Sequence, residues 1–381
     1  MKKIVIIGAG EFQVPLIQKA KEMGFETHVF AWREGAVGAE IADFFYPVSI
    51  TETEEILAVC EKLRPDAVAT IASDLANITV QYLAARLGLP HNSDECIRVS
   101  TNKYAMRKAL KAGGADTPFF TTVSSAAELD PAALSYPVIV KPTDRSGSRG
   151  ITKVLSPDAL AAAIDAATVH SFEKRAMVEE FIDGPEFSAE SISYNGEHTL
   201  LTVTQKFTTG APNFIETGHI EPAPLTEEQL ARVKKEIFTG LTALDIRMGP
   251  SHAEFRISKD GRVRIIEIGS RMGGDCIGSH LVRLSTGIDF VEETIRTALG
   301  DAPALTPVDK GRPAAIRFVF GEEDLAVLDR IRRHHPEALY FVSEMEKIGS
   351  HDITDSGSRL GFYILVADSY EEILSISELS L

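Results

Sequence analysis

Cysteine is scarce in this chain, and no apolar run is long. Its 381 residues include three cysteines, Cys60, Cys96 and Cys276, which lie far apart and form no Cys-x-x-Cys pair. This usage favours a reducing compartment and argues against a disulfide framework or a thiolate zinc site. The apolar opening IVIIGAG is too short to span a membrane and has no cleavage-site pattern. We therefore expect a cytoplasmic protein.

Basic residues are also in deficit. The chain has 39 lysines and arginines against 55 acidic residues, which gives a net charge of −16. Such a surface repels phosphate backbones and anionic lipid, so we expect neither a nucleic-acid nor a membrane partner. Phosphates of small molecules would need a locally basic cleft. The length suits two or three domains.

The first hundred residues alternate strand and helix patterns. KKIVIIGAG and ETHVFAW are typical of buried parallel strands, so we predict a doubly wound α/β domain over residues 1–112. The opening GAGEFQ has Gln13 where a dinucleotide fingerprint has its third glycine, and the second strand ends at Phe30-Ala31-Trp32 without a ribose-binding acid. A turn that lines a small-molecule pocket is favoured over NAD binding.

From residue 113 onward, strand patterns outnumber helical ones, which indicates α+β architecture. A proline-bearing link after Ala302 leads to a last small unit with two strands, AAIRFVF and GFYILVA. The predicted fold class is therefore an α/β domain followed by α+β regions.

A hairpin loop follows the strand YPVIVKP, which ends near Lys141. Its glycines allow backbone N–H groups to approach an anion, and its serines add donors. There is no Gly-Lys-Ser/Thr sequence, so this is not a Walker loop; we predict a flap that closes over phosphates, with a flexible surface hairpin as the alternative. The candidate residues are Ser146, Gly147, Ser148 and Gly150.

The segment MVEEFIDGPEFS predicts a strand that ends at Ile182 and a turn at residues 183–185. The backbone at a strand edge can hydrogen-bond an adenine edge, and a carboxylate beyond the turn, Glu186, can accept both ribose hydroxyls. Solvated glutamates are the alternative interpretation.

The segment HAEFRISKDGRVRIIEIG predicts a hairpin with a two-residue turn at Asp260-Gly261. That register places Ile257 opposite Arg264 and Glu254 opposite Glu267, with both acids on the face away from Phe255 and Ile266. Like charges in this position destabilise a hairpin, so a positive group should lie between them. Two carboxylates without His or Cys favour Mg²⁺; the alternative is an acid pair partnered by Arg256 or Arg271.

Three weaker candidates remain. Residues 204–225 predict a long irregular segment, carrying Lys206 and His219, that would cover a substrate. Lys103 opens a helix where its ammonium could reach a phosphate. Asp74 either faces a substrate or caps the helix LANITVQYL.

These motifs, in this order, resemble the ATP-grasp superfamily. The resemblance rests on Lys103, VIVKP before a Ser/Gly loop, VEEFIDGPEFS and two acids on a hairpin ending in EIGSR. It implies a central ATP-grasp fold of two α+β subdomains, a lid at 113–185 and a catalytic subdomain at 186–302. A small C-terminal α+β domain would occupy 303–381.

The resemblance implies ATP and Mg²⁺ as cofactors, with one or two metal ions and Mn²⁺ as a substitute. Lys103 and Lys141 would hold ATP phosphates beneath the 146–150 flap, and Glu186 would take the ribose. The adenine pocket would be lined by Glu179, Phe181 and Ile182.

Glu254 and Glu267 would be the metal ligands implied by this resemblance. The family usually has Glu-x-Asn-x-Arg here, and this chain has Gly269 in place of Asn. The missing side chain puts the second metal ion in question.

FIETGHIEPAPL together with EIGSRMGGD resembles the bacterial L-amino-acid ligase branch. Arg271 would then bind the acyl phosphate or a substrate carboxylate, and His219 would lie beside the reacting carbonyl, with Lys206 as a third catalytic candidate. Asp74 would face the amine. The implied reaction joins the carboxylate of one substrate, which is expected to be an amino acid, to an amine. It proceeds through an acyl phosphate and releases ADP and phosphate.

Two alternatives stay open: a related ligase or carboxylase acting on bicarbonate or a purine-pathway precursor, and a nucleotide-binding regulator without catalysis. The partners of the favoured enzyme are small-molecule carboxylate and amine substrates. The resemblance also allows a homodimer through the N-terminal domain.

Overall fold

The N-terminal region is built on a parallel sheet. The computed structural model describes residues 1–145, 150–211, 214–347 and 356–380. Four parallel strands run in the order β3-β2-β1-β4; they are β1 (Lys3–Ile7), β2 (Glu26–Phe30), β3 (Phe44–Tyr46) and β4 (Ala67–Ala69). The helices that accompany them are α1 (Val14–Glu22), α2 (Thr53–Leu63) and α3 (Asp74–Leu87). This confirms the predicted doubly wound α/β arrangement.

Helices cover both faces of this sheet. Leu16 of α1 packs on one face, together with Phe290 from much later in the chain, and Ile56 of α2 and Leu83 of α3 pack on the other. A parallel sheet needs this double cover because its strands are apolar on both sides. The N-terminal core therefore includes a helix from the central part of the sequence.

A small antiparallel sheet follows two connecting helices, α4 (Asp94–Thr101) and α5 (Lys103–Ala112). Its strand order is β5-β8-β6-β7; the strands are β5 (Phe120–Val123), β6 (Val138–Pro142), β7 (Thr152–Val154) and β8 (Ala176–Glu180). Helix α6 (Leu160–His170) covers one face. The β6–β7 pair is the hairpin predicted to carry the flap.

A second antiparallel sheet has eight strands in the order β13-β12-β9-β10-β11-β14-β16-β15. They are β9 (Glu186–Tyr194), β10 (Glu197–Thr208), β11 (Glu216–Glu221), β12 (Gly249–Ile257), β13 (Val263–Gly269), β14 (Ala314–Val319), β15 (Leu339–Val342) and β16 (Gly361–Val366). Its helices are α7 (Glu227–Ala243), α8 (Val282–Thr286), α9 (Phe290–Ala298), α10 (Glu322–His334) and α11 (Tyr370–Ser377). The strands after residue 303 thus extend the central sheet.

The prediction that residues 204–225 are irregular throughout is wrong. Half of them belong to strands, 204–208 to β10 and 216–221 to β11, which pair antiparallel and place Lys206 opposite His219. The segment shows no apolar alternation because buried polar side chains, among them Lys206, His219 and Glu221, replace apolar residues in these strands. Period-2 patterning fails where a sheet face carries a charge network.

The register of the β12–β13 hairpin differs from the prediction near its turn. Ile257 lies opposite Val263 rather than Arg264, because Gly261, at φ +76°, closes a longer loop than the two-residue turn that we expected. A bulge between Glu254 and Phe255 then shifts the ladder by one residue, which restores Glu254 opposite Glu267.

The same bulge changes the face of the sheet on which Ile266 lies. Ile265 and Ile268 pack into the core with Phe255, under α7, whereas Ile266 lines the cleft beside Glu267. The prediction that Ile266 lies on the core face is therefore wrong. The helices in the described ranges include none long and apolar enough to cross a membrane.

Gly184, in the turn before β9, offers a test of the close approach of this turn to the end of β12. Its φ is +95°, and a Cβ there would lie 2.1 Å from the carbonyl oxygen of Ile257. We expect Gly184→Ala to lower the free energy of unfolding by about 2–4 kcal/mol, because left-handed strain adds to a backbone clash. Urea denaturation followed by fluorescence would measure the loss.

Gly114→Ala is the matched control, since Gly114 has φ +87° with no atom within 4 Å of its added Cβ. Its loss should be limited to the conformational cost of about 1 kcal/mol. Equal losses in the two variants would contradict the close approach at Gly184.

Candidate active site

A cleft lies between the two antiparallel sheets and is closed at one end by the N-terminus of α3. The space within it, including the part that is open to solvent, is about 1130 Å³, which is large enough for a small-molecule ligand. Nine of the predicted site residues line it: Lys103, Lys141, Glu179, Phe181, Ile182, Glu186, Glu254, Glu267 and Arg271. Ser146, Gly147 and Ser148 lie outside the described residues, and Gly150, at φ +70°, packs its backbone near His170.

Each of the two opposed glutamates has a lysine partner. Lys103 Nζ lies 2.6 Å from Glu267 Oε2, and Lys206 Nζ lies 2.5 Å from Glu254 Oε1. The expected positive charge is thus present, but it is supplied by lysines from α5 and β10. Arg256 and Arg271, which we named as alternative partners, bind other acids, so that detail of the prediction is wrong.

Lys206 lies among three carboxylates. Besides Glu254, its ammonium is 3.4 Å from Glu186 and 3.6 Å from Glu216. Burial by itself would lower the pKa of Lys206, but the three acids outweigh it and raise the pKa above its usual range. The lysine is therefore a permanent cation that joins the Glu186 side of the cleft to Glu254.

Lys141 belongs to a second buried charge network. Glu179 accepts Lys141 at 2.5 Å and Arg107 at 2.9 Å, and all three side chains are buried. Burial raises the pKa of Glu179, yet Arg107 and Lys141 bring it down to about 2. Burial is also the largest cause of the lowered pKa of Lys141, with Glu179 opposing it.

Sequence reasoning missed Arg107. It stands four residues after Lys103 on α5, so both cations occupy one helical face that also meets the buried Met106 and Leu110. A pair of cations at this spacing beside apolar core positions was the available signal.

Arg256 holds together two of the residues that we predicted to contact adenine and ribose, Ile182 and Glu186. Its guanidinium lies 2.8 Å from Glu186 and donates to the backbone oxygen of Ile182 at 3.0 Å. β8 ends at Glu180, before the predicted end at Ile182, so Phe181 and Ile182 lie in the connection to β9. Apolar lining that the sequence did not reveal comes from Ile139, Ile151, Phe214 and Ile266.

Arg271 forms a two-point ion pair with Asp74, at 2.8 and 3.0 Å. The helix-cap interpretation of Asp74 is wrong, because Ser73 is the cap and accepts the N–H of Ala76 at 3.2 Å. A Cβ at position 269 would lie 3.0 Å from Asp74 Oδ1. Glycine at 269 therefore leaves room for a carboxylate from the N-terminal domain.

His219 lies apart from the described lining of the cleft. It is buried and contacts Asp275 at 3.3 Å, and Asp275 in turn binds Arg359 at 2.8 Å. Arg359 also reaches Glu216 at 3.2 Å. Burial lowers the pKa of His219 despite the acid beside it. Its role beside a reacting carbonyl remains a prediction, and Arg359 could not be found because it is distant in sequence.

Comparison with known proteins identifies the class. A model of the ATP-grasp domain matches residues 134–279. An L-amino acid ligase from Bacillus licheniformis superimposes with a TM-score of 0.84 at 25% identity, covering 99% of this chain and 96% of that one. The chain therefore contains an ATP-grasp domain and has the overall fold of an ATP-grasp ligase, which confirms the predicted resemblance.

Curated relatives cover less of the molecule. The ATP-grasp enzyme fsqD of Aspergillus fumigatus is 26% identical over 71% of this chain and 54% of its own length. The formate-dependent phosphoribosylglycinamide formyltransferase of Mycolicibacterium smegmatis is 27% identical over 58% of this chain and 54% of its own length. The chain thus spans about half the length of these relatives.

Glu221, at the end of β11, provides a test of carboxylate burial in the central sheet. It is fully buried and accepts hydrogen bonds from Thr204 at 2.5 Å and Ser285 at 2.9 Å. Burial raises the pKa of Glu221 from 4.5 to about 8. Between pH 4.5 and about 8, the carboxyl of Glu221 keeps its proton in the folded state, whereas in the unfolded state it has released it. Stability should therefore fall as pH rises, by up to about 1.4 kcal/mol per pH unit.

The measurement compares the thermal midpoints of wild type and Glu221→Gln from pH 5 to pH 9. We expect the thermal midpoint of Glu221→Gln to rise relative to that of wild type as the pH rises toward 8, since the amide has no proton to lose. Glu228→Gln, on an exposed side chain of α7, is the control and should run parallel to wild type. A Glu221→Gln difference that stays constant over this range would refute the buried protonated acid.

Proposed function

We propose that this protein is an ATP-dependent, ADP-forming carboxylate–amine ligase whose motifs resemble those of the L-amino-acid ligases. The observation that carries the proposal is the arrangement within one cleft of an ATP-grasp domain: Lys103 and Lys141, the opposed Glu254 and Glu267, and Arg271 beyond them. These groups can neutralise the phosphates, the metal and the transferred group of one reaction.

The residues present fit ATP and Mg²⁺. Glu254 and Glu267 offer only oxygen ligands, both line the cleft, and both already attract a cation. The described residues include no group of three or more His, Cys, Asp or Glu that could hold a metal alone. Substrate phosphates and water would therefore complete the coordination, and bound Mg²⁺ would supply charge neutralisation at the phosphates.

The chain's own residues then act by position and charge. Lys103 and Lys141 hold ATP phosphates, and Glu186 accepts the ribose hydroxyls. A substrate carboxylate attacks the γ-phosphorus, ADP leaves, and the acyl phosphate forms beside Arg271. The amine attacks the acyl carbon, phosphate departs, and the amine gives up a proton. Exclusion of water from the acyl phosphate would limit its competing hydrolysis.

An amino acid suits the Arg271 end of the cleft better than a phosphorylated amine does. The cation there, Arg271, is already paired with Asp74. A substrate ammonium is complementary to Asp74, whereas a second phosphate dianion beside the acyl phosphate would be repelled. The formyltransferase relatives favour a purine-pathway precursor as the second candidate.

The first assay follows ADP and phosphate release with ATP, Mg²⁺ and pairs of amino acids, with products identified by mass spectrometry. We expect phosphate release to require both substrates. Glu267→Gln should lower kcat/KM by about 100-fold or more, because transition-state charge loses its metal partner. Glu197→Gln, exposed at the start of β10, is the matched control and should keep wild-type turnover.

Three results would overturn parts of this assignment. Phosphate release indifferent to every amine would rule out the ligase, and complete absence of ATP turnover would favour a nucleotide-binding regulator. Full turnover in Glu267→Gln would rule out the metal role of that side chain.

A second assay separates the substrate classes by offering serine and O-phosphoserine as the amine with one common carboxylate. We expect kcat/KM to be at least about tenfold lower for O-phosphoserine, because its phosphate meets Asp74 and the acyl phosphate. Preference for phosphorylated amines, including phosphoribosyl compounds, would support the purine-pathway alternative.

A further inference from the structure

His252 lies between two carboxylates at the floor of the cleft. It is paired with Glu190 across β12 and β9, and its Nδ1 hydrogen-bonds Glu190 Oε1. Its Nε2 is 3.4 Å from Glu254 Oε1, the proposed metal ligand two residues further along β12. His252 and Glu190 are both buried. A buried carboxylate thus holds one side of the ring while the other side faces Glu254.

Glu190 is itself held by the loop that carries Arg271. Its second oxygen, Oε2, accepts the backbone N–H of Gly273 at 3.0 Å. A Cβ on Gly273 would lie 2.6 Å from Glu190 Oε1 and 2.7 Å from His252 Nδ1. Glycine at 273 is therefore a requirement of this contact, and Glu190 fixes the His252 ring relative to the Arg271 loop.

The two carboxylate oxygens of Glu254 make different contacts. Oε1 receives both Lys206, at 2.5 Å, and His252, at 3.4 Å. Within the described ranges, no side chain or backbone group hydrogen-bonds Oε2. Glutamate has three rotatable bonds, and anchoring one oxygen removes much of the freedom that a metal would otherwise have to restrict. The anchored oxygen leaves the other available for a cation in the cleft.

We propose that His252, held by Glu190, is a positioning residue that orients Glu254 for the metal through its Nε2. The proposal rests on the proposed role of Glu254 as a metal ligand. Groups that hydrogen-bond metal ligands commonly change metal affinity by about 10- to 100-fold when removed. His252 would therefore act on metal binding, and its removal would leave the ATP-phosphate lysines in place.

Two substitutions separate the contacts of the ring. His252→Gln places an amide nitrogen near the position of Nε2 and can still donate to Glu254. His252→Asn places one near Nδ1 and keeps only the contact with Glu190. The probe is Mn²⁺ in the presence of ADP, with free Mn²⁺ followed by electron paramagnetic resonance, so neither the carboxylate nor the amine substrate need be known.

We expect His252→Asn to weaken Mn²⁺ binding by about tenfold or more, and His252→Gln to remain within about threefold of wild type. ADP binding in EDTA, measured by calorimetry, should be the same in both variants, because Lys103 and Lys141 are untouched. His198→Ala is the matched control: His198 also bonds two side chains, Ser193 and Thr242, but does not line the cleft. It should bind Mn²⁺ as wild type does.

Equal Mn²⁺ affinities in the Asn and Gln variants would overturn the proposal, whether both match wild type or both fall together. A loss of metal-free ADP binding in His252→Asn would also overturn it, since the residue would then support the cleft as a whole. Glu254→Gln separates the two levels of inference. If it weakens Mn²⁺ binding while both His252 variants do not, only the positioning role fails; if it leaves Mn²⁺ binding unchanged, the metal assignment itself fails.

Discussion

Compensation of buried charge is the constraint on which this structure depends. The cleft contains more ionised groups than an apolar core could tolerate, and a buried charge is costly unless an opposite charge and hydrogen bonds accompany it. Lys206 has three carboxylates around it, and Glu179 has two cations. A ligand that carries phosphates and a metal would enter a site whose charges are already balanced in pairs, so binding must exchange partners within the cleft.

These pairs also connect parts of the chain that are distant in sequence. Asp74 at the start of α3 holds Arg271 after β13, Arg107 of α5 holds Glu179 of β8, and Arg359 near the C-terminus holds Asp275. Each pair spans a boundary between regions that the sequence separates. The site is therefore a product of all three sheets.

The hairpin that carries Glu254 and Glu267 shows how a prediction can succeed through two compensating differences. Apolar alternation and an Asp-Gly turn were sufficient to place the acids opposite each other. The turn is longer than expected, and a bulge beside Phe255 restores the register before the acids are reached. Alternation alone cannot locate a bulge, because the side of the strand on which Ile266 lies depends on packing against α7.

The sequence by itself determined the alternation of strands and helices over the first hundred residues, most of the lysines and acids of the cleft, and the absence of a Walker loop, because these follow from local patterning and residue chemistry. Only the tertiary structure decided which charges pair. It paired Lys206 with Glu254 and Asp74 with Arg271, and it showed that Arg107 and Arg359 belong to these networks. The physical reason is that ion pairing depends on distance in space, and these partners are between 48 and 197 residues apart. Gly269 is the clearest case: the sequence shows a missing side chain, and the fold shows a carboxylate beside the space.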